Sequence, residues 1–201
     1  MLKLLLPLLA YLFGSISSAI LVCRVMGLPD PRSTGSNNPG ATNVLRIGGK
    51  KAAVITLSGD ILKGLIPVLV ARVLSDDPVL ISLVGVAAFI GHLYPVFFSF
   101  KGGKGVATAS GVFIGLSATV TVVLLLVWIT TALIFRYSSL AALVAAASAP
   151  LLVLWLLPEL DYYLMALVIA ALLFWRHQEN IERLIAGEES KIKLSSGHQE
   201  I

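Results

Sequence analysis

The 201-residue chain is 57% hydrophobic and 13% charged, with a mean hydropathy of +0.92. A soluble domain keeps roughly a quarter of its residues charged, so this composition excludes a water-soluble globule and points to lipid. The net charge of +4 and pI near 9.3 mark the cytoplasmic side of a membrane rather than a nucleic-acid surface. The single cysteine, Cys23, excludes an intramolecular disulfide.

A spanning helix takes about 20 mostly apolar residues. The first such run covers 2–23. Lys3, the leucines after it and Ser17-Ser18-Ala19 imitate a secretion signal, but the run continues through Cys23 and is long enough to stay as a span. A polar, Gly/Pro-rich loop follows, with the cytoplasmic segment covering 24–51. The second span, 52–73, carries Asp60 and Lys63; the third is 78–98, closed by a loop at 99–104. After these come an apolar stretch at 105–135, spans at 138–157 and 160–175, and a polar tail from 176 to 201.

The 105–135 stretch decides the topology. Two helices meeting near Leu116–Ala118 give seven spans. The N-terminus is then outside and the C-terminus cytoplasmic. Arg24, Arg32, Arg46, Lys50, Lys51, Lys101, Lys104, Arg136, Arg176, Arg183, Lys191 and Lys193 all fall inside, against Lys3 and Arg72 outside. One long helix would split the basic residues evenly. Basic residues favour the cytoplasmic side, so the expected fold class is all-α. It is a single-domain (1–201), seven-span integral membrane bundle, N-out and C-in.

Three polar segments share the cytoplasmic face. Ser33 to Arg46 combines glycines with small hydroxyl and amide side chains, a composition that makes phosphate-binding nests beside a helix N-terminus. Arg46 there offers a planar fork to a phosphoryl group. Lys101-Gly102-Gly103-Lys104-Gly105 leads directly into an apolar helix, where glycine allows close backbone approach to an anion. It lacks the GxxxxGK[ST] spacing of a nucleotide loop. His177 and Asn180, three apart, share a helical face and supply a candidate base and a donor to a developing oxyanion. Each segment alone also fits an ordinary loop or solvated helix. Together they suit a site where a phosphate-bearing soluble substrate meets a lipid-borne one.

Asp60 and Lys63 share a face within a span, which fits either a buried ion pair or a lysine reaching an anionic substrate. His92 is expected to hydrogen-bond within the bundle. Gly111 and Gly115 read as a helix-packing pair.

GSNNPGATNVLR (35–46), GDILKG (59–64), GHLYPVFFSFKGGKGVAT (91–108) and HQENIERLIAGEESKI (177–192) resemble, in that order, the motifs of the bacterial PlsY family. These are acyl-phosphate-dependent glycerol-3-phosphate acyltransferases. The resemblance implies acyl transfer from acyl phosphate to the 1-hydroxyl of glycerol 3-phosphate, giving lysophosphatidic acid and inorganic phosphate in phospholipid synthesis. By motif position it assigns Ser36 and Arg46 to the first motif and Gly102, Gly103, Lys104 and Gly105 to a phosphate loop. It assigns His177, Asn180 and Glu188 to the third motif. Where the family's first motif often reads GSGN, this chain has Asn37; at positive φ, asparagine is the best-tolerated substitute for glycine.

Acyl phosphate carries its own leaving group, so the expected work is orientation and charge neutralisation. The catalytic candidates are Ser36, His177 and Asn180. The substrate-binding candidates are Arg46, Lys63, Gly102, Gly103, Lys104, Gly105 and Glu188. Whether His177 or a substrate phosphoryl oxygen takes the proton stays open, as does acyl-CoA as donor on the residues alone. No cofactor, metal or nucleic acid is expected. The expected partners are glycerol 3-phosphate, acyl phosphate and membrane lipids. The chain is expected to be a monomer in the inner membrane, with its site facing the cytoplasm. The rival reading is an anion or phosphate transporter, which Lys63 and the glycine loops would also suit.

Overall fold

The computed structural model describes residues 1–192, and within them every regular element is helical. Lys193 and the rest of the expected tail lie outside the described residues. The helices are α1 (Leu2–Gly14), α2 (Ser18–Val25), α3 (Ala41–Leu74), α4 (Pro78–Leu93), α5 (Val106–Leu116), α6 (Ala118–Phe135), α7 (Ser138–Leu156), α8 (Leu160–Arg176) and α9 (Gln178–Ala186). By length and apolarity, five helical stretches can cross a membrane. The bent pair α8–α9 makes a sixth, and α5 is a shorter apolar helix. The chain is thus an integral membrane helical bundle.

The expected first span is broken. Gly14 brings α1 against α4, where a Cβ would lie 2.1 Å from the Ala88 carbonyl oxygen. Ser15 Oγ donates back to the Tyr11 carbonyl at 2.8 Å, and α2 restarts at Ser18. The carbonyl of Ile16, freed by this break, accepts a hydrogen bond from Lys63 Nζ at 3.1 Å. An unpaired carbonyl in the bundle would cost several kcal/mol, and the lysine removes that cost.

The polar segment 24–51 is not all loop, a second correction to the sequence reading. Helix begins at Ala41 and runs through 41–48 before Gly49 (φ 76, ψ −176) kinks it into the apolar part. Glycine tolerates this conformation where other residues do not. The expected third span stops short, because Pro95 disfavours helix at Tyr94; α4 ends at Leu93 and a 3-10 turn covers Val96–Phe98. The 105–135 stretch breaks at Ser117, as expected from its length. Ser117 caps α6 through Val120 N, and Arg72 Nη1 donates to the Gly115 and Leu116 carbonyls at 2.6 and 3.1 Å.

Helix α4 is the centre of the bundle. In its span 61% of residues are buried, against 17% for α6, so α6 lies at the lipid-facing edge with Leu126, Leu133 and Ile134 exposed. Phe89, Leu80, Val84 and Leu93 of α4 join Val68 of α3, Val112 of α5, Val153 of α7 and Ile169 of α8 in one core. Gly111 of α5 sits against the Ile61 carbonyl of α3, where a Cβ would come within 2.0 Å. This is the small-residue packing expected of it.

Candidate active site

A cavity of about 1020 Å³ opens among α3, α5, α6, α7 and α9. One end is polar and cationic, lined by Ser36, Arg46, Lys50, Lys104, His177, Asn180 and Arg183. Away from that end the walls turn apolar: Val54 and Leu57 of α3, Phe113 and Ile114 of α5, Leu124, Leu125 and Trp128 of α6, and Ala142 to Ala149 of α7.

The first polar segment is folded around a side chain that the sequence reading passed over. Asn43, 1% exposed, accepts from Ser36 N at 2.9 Å and donates to the Pro31 and Thr34 carbonyls at 2.9 and 2.8 Å. Its amide therefore satisfies three backbone groups of a loop that has no ladder of its own. Gly35 and Asn37 turn the chain at φ 70 and φ 54, so asparagine does occupy a positive-φ position. The loop delivers Gly40 as the cap of α3. The first amides of α3 have no partner within the helix. Ser36 and Arg46 are exposed at the cavity, and Arg46 makes no side-chain hydrogen bond or ion pair among the described residues.

The second glycine segment is clamped rather than open. Gly103 N donates to the His92 carbonyl at 3.2 Å. From the other side Arg176 donates to the Gly103 and Gly102 carbonyls at 3.2 and 3.0 Å. A Cβ on Gly102 would meet the His92 carbonyl oxygen at 2.0 Å, and one on Gly103 would meet His92 Nε2 at 2.4 Å. This clamp presents Lys104 to the cavity, where its Nζ donates to Asn180 Oδ1. Burial pushes the Lys104 pKa down, with the Arg183 charge adding to it. A desolvated ammonium beside a second cation gains most from an arriving dianion.

Asn180, 8% exposed, donates through Nδ2 to Glu189 Oε1 at 2.6 Å. Glu189 also accepts from Ser139 Oγ at 2.6 Å and from Arg183 Nε at 2.7 Å. Burial pushes the Glu189 carboxyl up, but the bonds from Ser139, Arg183 and Asn180 outweigh it and hold it below the usual carboxylate range. His177 lies at the bend between α8 and α9, 4% exposed, with Nδ1 2.8 Å from the Leu173 carbonyl. In the neutral imidazole, a Nδ1–H donated to Leu173 leaves Nε2 as the acceptor.

The profile of the Glycerol-3-phosphate acyltransferase family matches residues 4–187. The chain is 58% identical over 183 residues to the glycerol-3-phosphate acyltransferase of Thioalkalivibrio sulfidiphilus, covering 91% of this chain and 90% of that one. With the enzyme of Methylococcus capsulatus the identity is 56% over 183 residues, with 91% and 92% covered. The chain belongs to the glycerol-3-phosphate acyltransferase family. Its fold matches a crystal structure of PlsY (YgiH), an integral membrane glycerol 3-phosphate acyltransferase, in its glycerol 3-phosphate form. The TM-score is 0.91 at 44% identity, covering 95% of this chain and 96% of that one. The lysophosphatidic acid form of that enzyme matches with a TM-score of 0.89 at 43% identity, covering 95% of each chain.

Of the residues singled out for this family, Ser36, Arg46, Lys104, Gly105, His177 and Asn180 line one cavity. Four others stand elsewhere. Gly102 and Gly103 are buried against α4. Lys63, 4% exposed, pairs with Asp60 at 2.8 Å and with the Ile16 carbonyl, the ion-pair arrangement of the two considered for it. Glu188 is exposed on the surface, and its neighbour Glu189 holds the network instead. Gly187, left-handed at φ 74, ends α9 and turns the chain back so that residue 189 faces Arg183. Asn43, Ser139, Arg176, Arg183 and Glu189 carry the site's architecture without having been singled out for it.

Proposed function

We propose that this chain transfers a fatty acyl group from acyl phosphate to the 1-hydroxyl of glycerol 3-phosphate. The observation that carries the reading is one cavity joining a cationic head to an apolar groove. Two phosphate-bearing substrates need the first, and an acyl chain needs the second. Arg46 and Lys104 hold phosphoryl oxygens, with the Ser36 hydroxyl and the α3 amides beside them. Asn180, fixed between Lys104 and Glu189, positions the reacting groups.

In the transfer, the hydroxyl oxygen forms a bond to the acyl carbon while the carbon–oxygen bond to phosphate breaks. Inorganic phosphate leaves. His177 is buried, and its Nδ1 is committed to the Leu173 carbonyl, so only Nε2 is left for the substrate. It orients the hydroxyl as an acceptor, and the proton departs on the phosphate oxygens. Gly102, Gly103 and Lys63 act indirectly, by holding the loop and the bundle that present Lys104.

Seven membrane segments, the short α5 among them, with the N-terminus outside would put this cationic head at the cytoplasmic face of the inner membrane. The Lys3–Asp77 ion pair of 2.6 Å supports this, since it joins the N-terminus to the α3–α4 turn, at the far end of α3 from Arg46. Helix α5 has 11 residues, about 16 Å of helix, so it reaches only about halfway through a ~30 Å core. The protein acts as a monomer among lipids. In a transporter, polar groups would line a path across the membrane; here the cations gather at one end and the other end is apolar.

The test supplies purified protein with glycerol 3-phosphate and either palmitoyl phosphate or palmitoyl-CoA, following lysophosphatidic acid and released phosphate. Product from palmitoyl phosphate alone is expected. Product from the CoA ester alone would overturn the donor assignment.

A further inference from the structure

Helix α7 separates two hollows. Ser139 and Ala146 on one side border the active-site cavity. On the other side Leu143 and Val144 join Phe174 of α8 and Ile181 and Ile185 of α9 around a second groove of about 560 Å³. Apart from the Tyr137 hydroxyl its lining side chains are all apolar. Helix α9 bends 58° away from α8 and divides its faces: Asn180 and Arg183 turn to Glu189, while Ile181 and Ile185 turn to the groove. Ile185 is 84% exposed. A short helix with one polar and one apolar face at the end of a span lies in the membrane interface.

The groove begins at a pair of cations. Lys191 Nζ stands 5.7 Å from the centroid of the Tyr137 ring, within cation–π reach. Arg136 precedes Tyr137 and is locked to Ile192, the residue after Lys191. Ile192 N donates to the Arg136 carbonyl at 2.7 Å, and Arg136 Nη2 donates to the Ile192 carbonyl at 3.1 Å. Both cations are exposed, and among the described residues neither pairs with a carboxylate. Glu189, two residues before Lys191, is already held by Ser139, Asn180 and Arg183. From Tyr137 to Ala147 the groove follows α7 for about 15 Å, the depth of one leaflet of a ~30 Å hydrocarbon core.

We infer that this groove seats an anionic phospholipid of the bilayer, its phosphate between Arg136 and Lys191 and one acyl chain along α7. Unpaired cations at the head of a leaflet-deep apolar groove complement such a lipid in both charge and length. Residues 193–201, KLSSGHQEI, are too polar to fill the groove in its place. Bound there, the lipid clips the segment after α9, which carries Glu189, onto the bundle. This site lies across α7 from the active-site cavity and stands whether or not the chain transfers acyl groups.

The experiment titrates phosphatidylglycerol, or phosphatidylcholine with the same chains, into the purified full chain in detergent and follows the melting temperature. A saturable rise is expected with phosphatidylglycerol and none with phosphatidylcholine at the same concentrations. Lys191→Gln, which alters only an exposed ammonium, should raise the half-saturating concentration about fivefold, and Arg136→Gln combined with it about 30-fold. Val144→Trp fills the groove from a partly exposed position and should abolish the rise while melting as the wild type does without lipid. Equal stabilisation by the two lipids, or a wild-type response in Lys191→Gln, would overturn the site. An unchanged response in Val144→Trp would make the effect one of surface charge and overturn the seat in the groove. A rise with lysophosphatidic acid and none with phosphatidylglycerol would assign the groove to the product instead and overturn the bilayer lipid.

Discussion

The two glycine-rich segments look alike in sequence and are built for different tasks. The loop before α3 uses its glycines to turn: it wraps Asn43 and leaves Ser36, Arg46 and the start of a helix facing the cavity. The loop before α5 uses Gly102 and Gly103 to fit. The His92 carbonyl and the Arg176 guanidinium close on it from two sides, and Lys104, not the exposed Lys101, is the charge it turns to the cavity. A glycine run near a phosphate site can therefore mean ligand approach or tight packing. Backbone hydrogen bonds favour packing for the Gly103 amide and the Gly102 and Gly103 carbonyls, which the protein already holds.

The largest expected effect lies at the charge the second loop turns to the cavity. Lys104→Ala should lower kcat/KM about 10²- to 10³-fold, the usual consequence of removing a preorganised electrostatic donor. Thermal stability should hold, because a partly desolvated cation is removed. Asn43→Ala should act mainly on stability, by about 2–3 kcal/mol for three lost buried hydrogen bonds, read as a fall in melting temperature along with lost activity. Gly102→Ala should cost about 1–3 kcal/mol of overpacking and lower activity through Lys104. If it kept wild-type stability and lost only glycerol 3-phosphate affinity, the second loop would be a ligand cradle after all.

A smaller effect follows from Glu189. Its folded pKa is lowered, so its stabilising share is full above the ordinary glutamate value of ~4.3 and is lost as pH falls through the folded pKa. Melting curves from pH 6 to 3 should show the wild type falling more steeply than Glu189→Gln, with the gap between them closing in acid. The smallest effect belongs to Asn37→Gly. At φ 54 the glycine relieves strain and adds chain entropy, and the two nearly offset. A change within about 1 kcal/mol and unaltered turnover are expected.

Much of this was legible in the residues. Intramembrane-length runs, the break within 105–135 and the placement of Arg46, Lys104, His177 and Asn180 on one membrane face follow from hydropathy, charge and spacing, whereas Ser36 stood out only through the resemblance to the family's first motif. The break at 15–17 was not, because nothing local stops an apolar helix there. Its causes are the backbone of α4 against Gly14 and the ammonium of Lys63, both distant in sequence. The start of α3 at Ala41 was hidden by a polar composition that reads as loop, although Gly40 and a run free of proline after it permit helix. Choosing Glu189 over Glu188 required the helix end: Gly187 as a left-handed cap reverses the chain, and only the second glutamate then returns to Arg183 and Asn180. The distinct jobs of the two glycine loops needed the partners themselves.

Binding of labelled glycerol 3-phosphate to the purified protein in detergent tests the central claim most directly, namely that the cationic head formed by the first loop and Lys104 is a phosphate site. Saturable binding is expected, competed by inorganic phosphate and weakened about tenfold or more in Arg46→Ala, while the variant melts as the wild type does. Wild-type affinity in Arg46→Ala would contradict it.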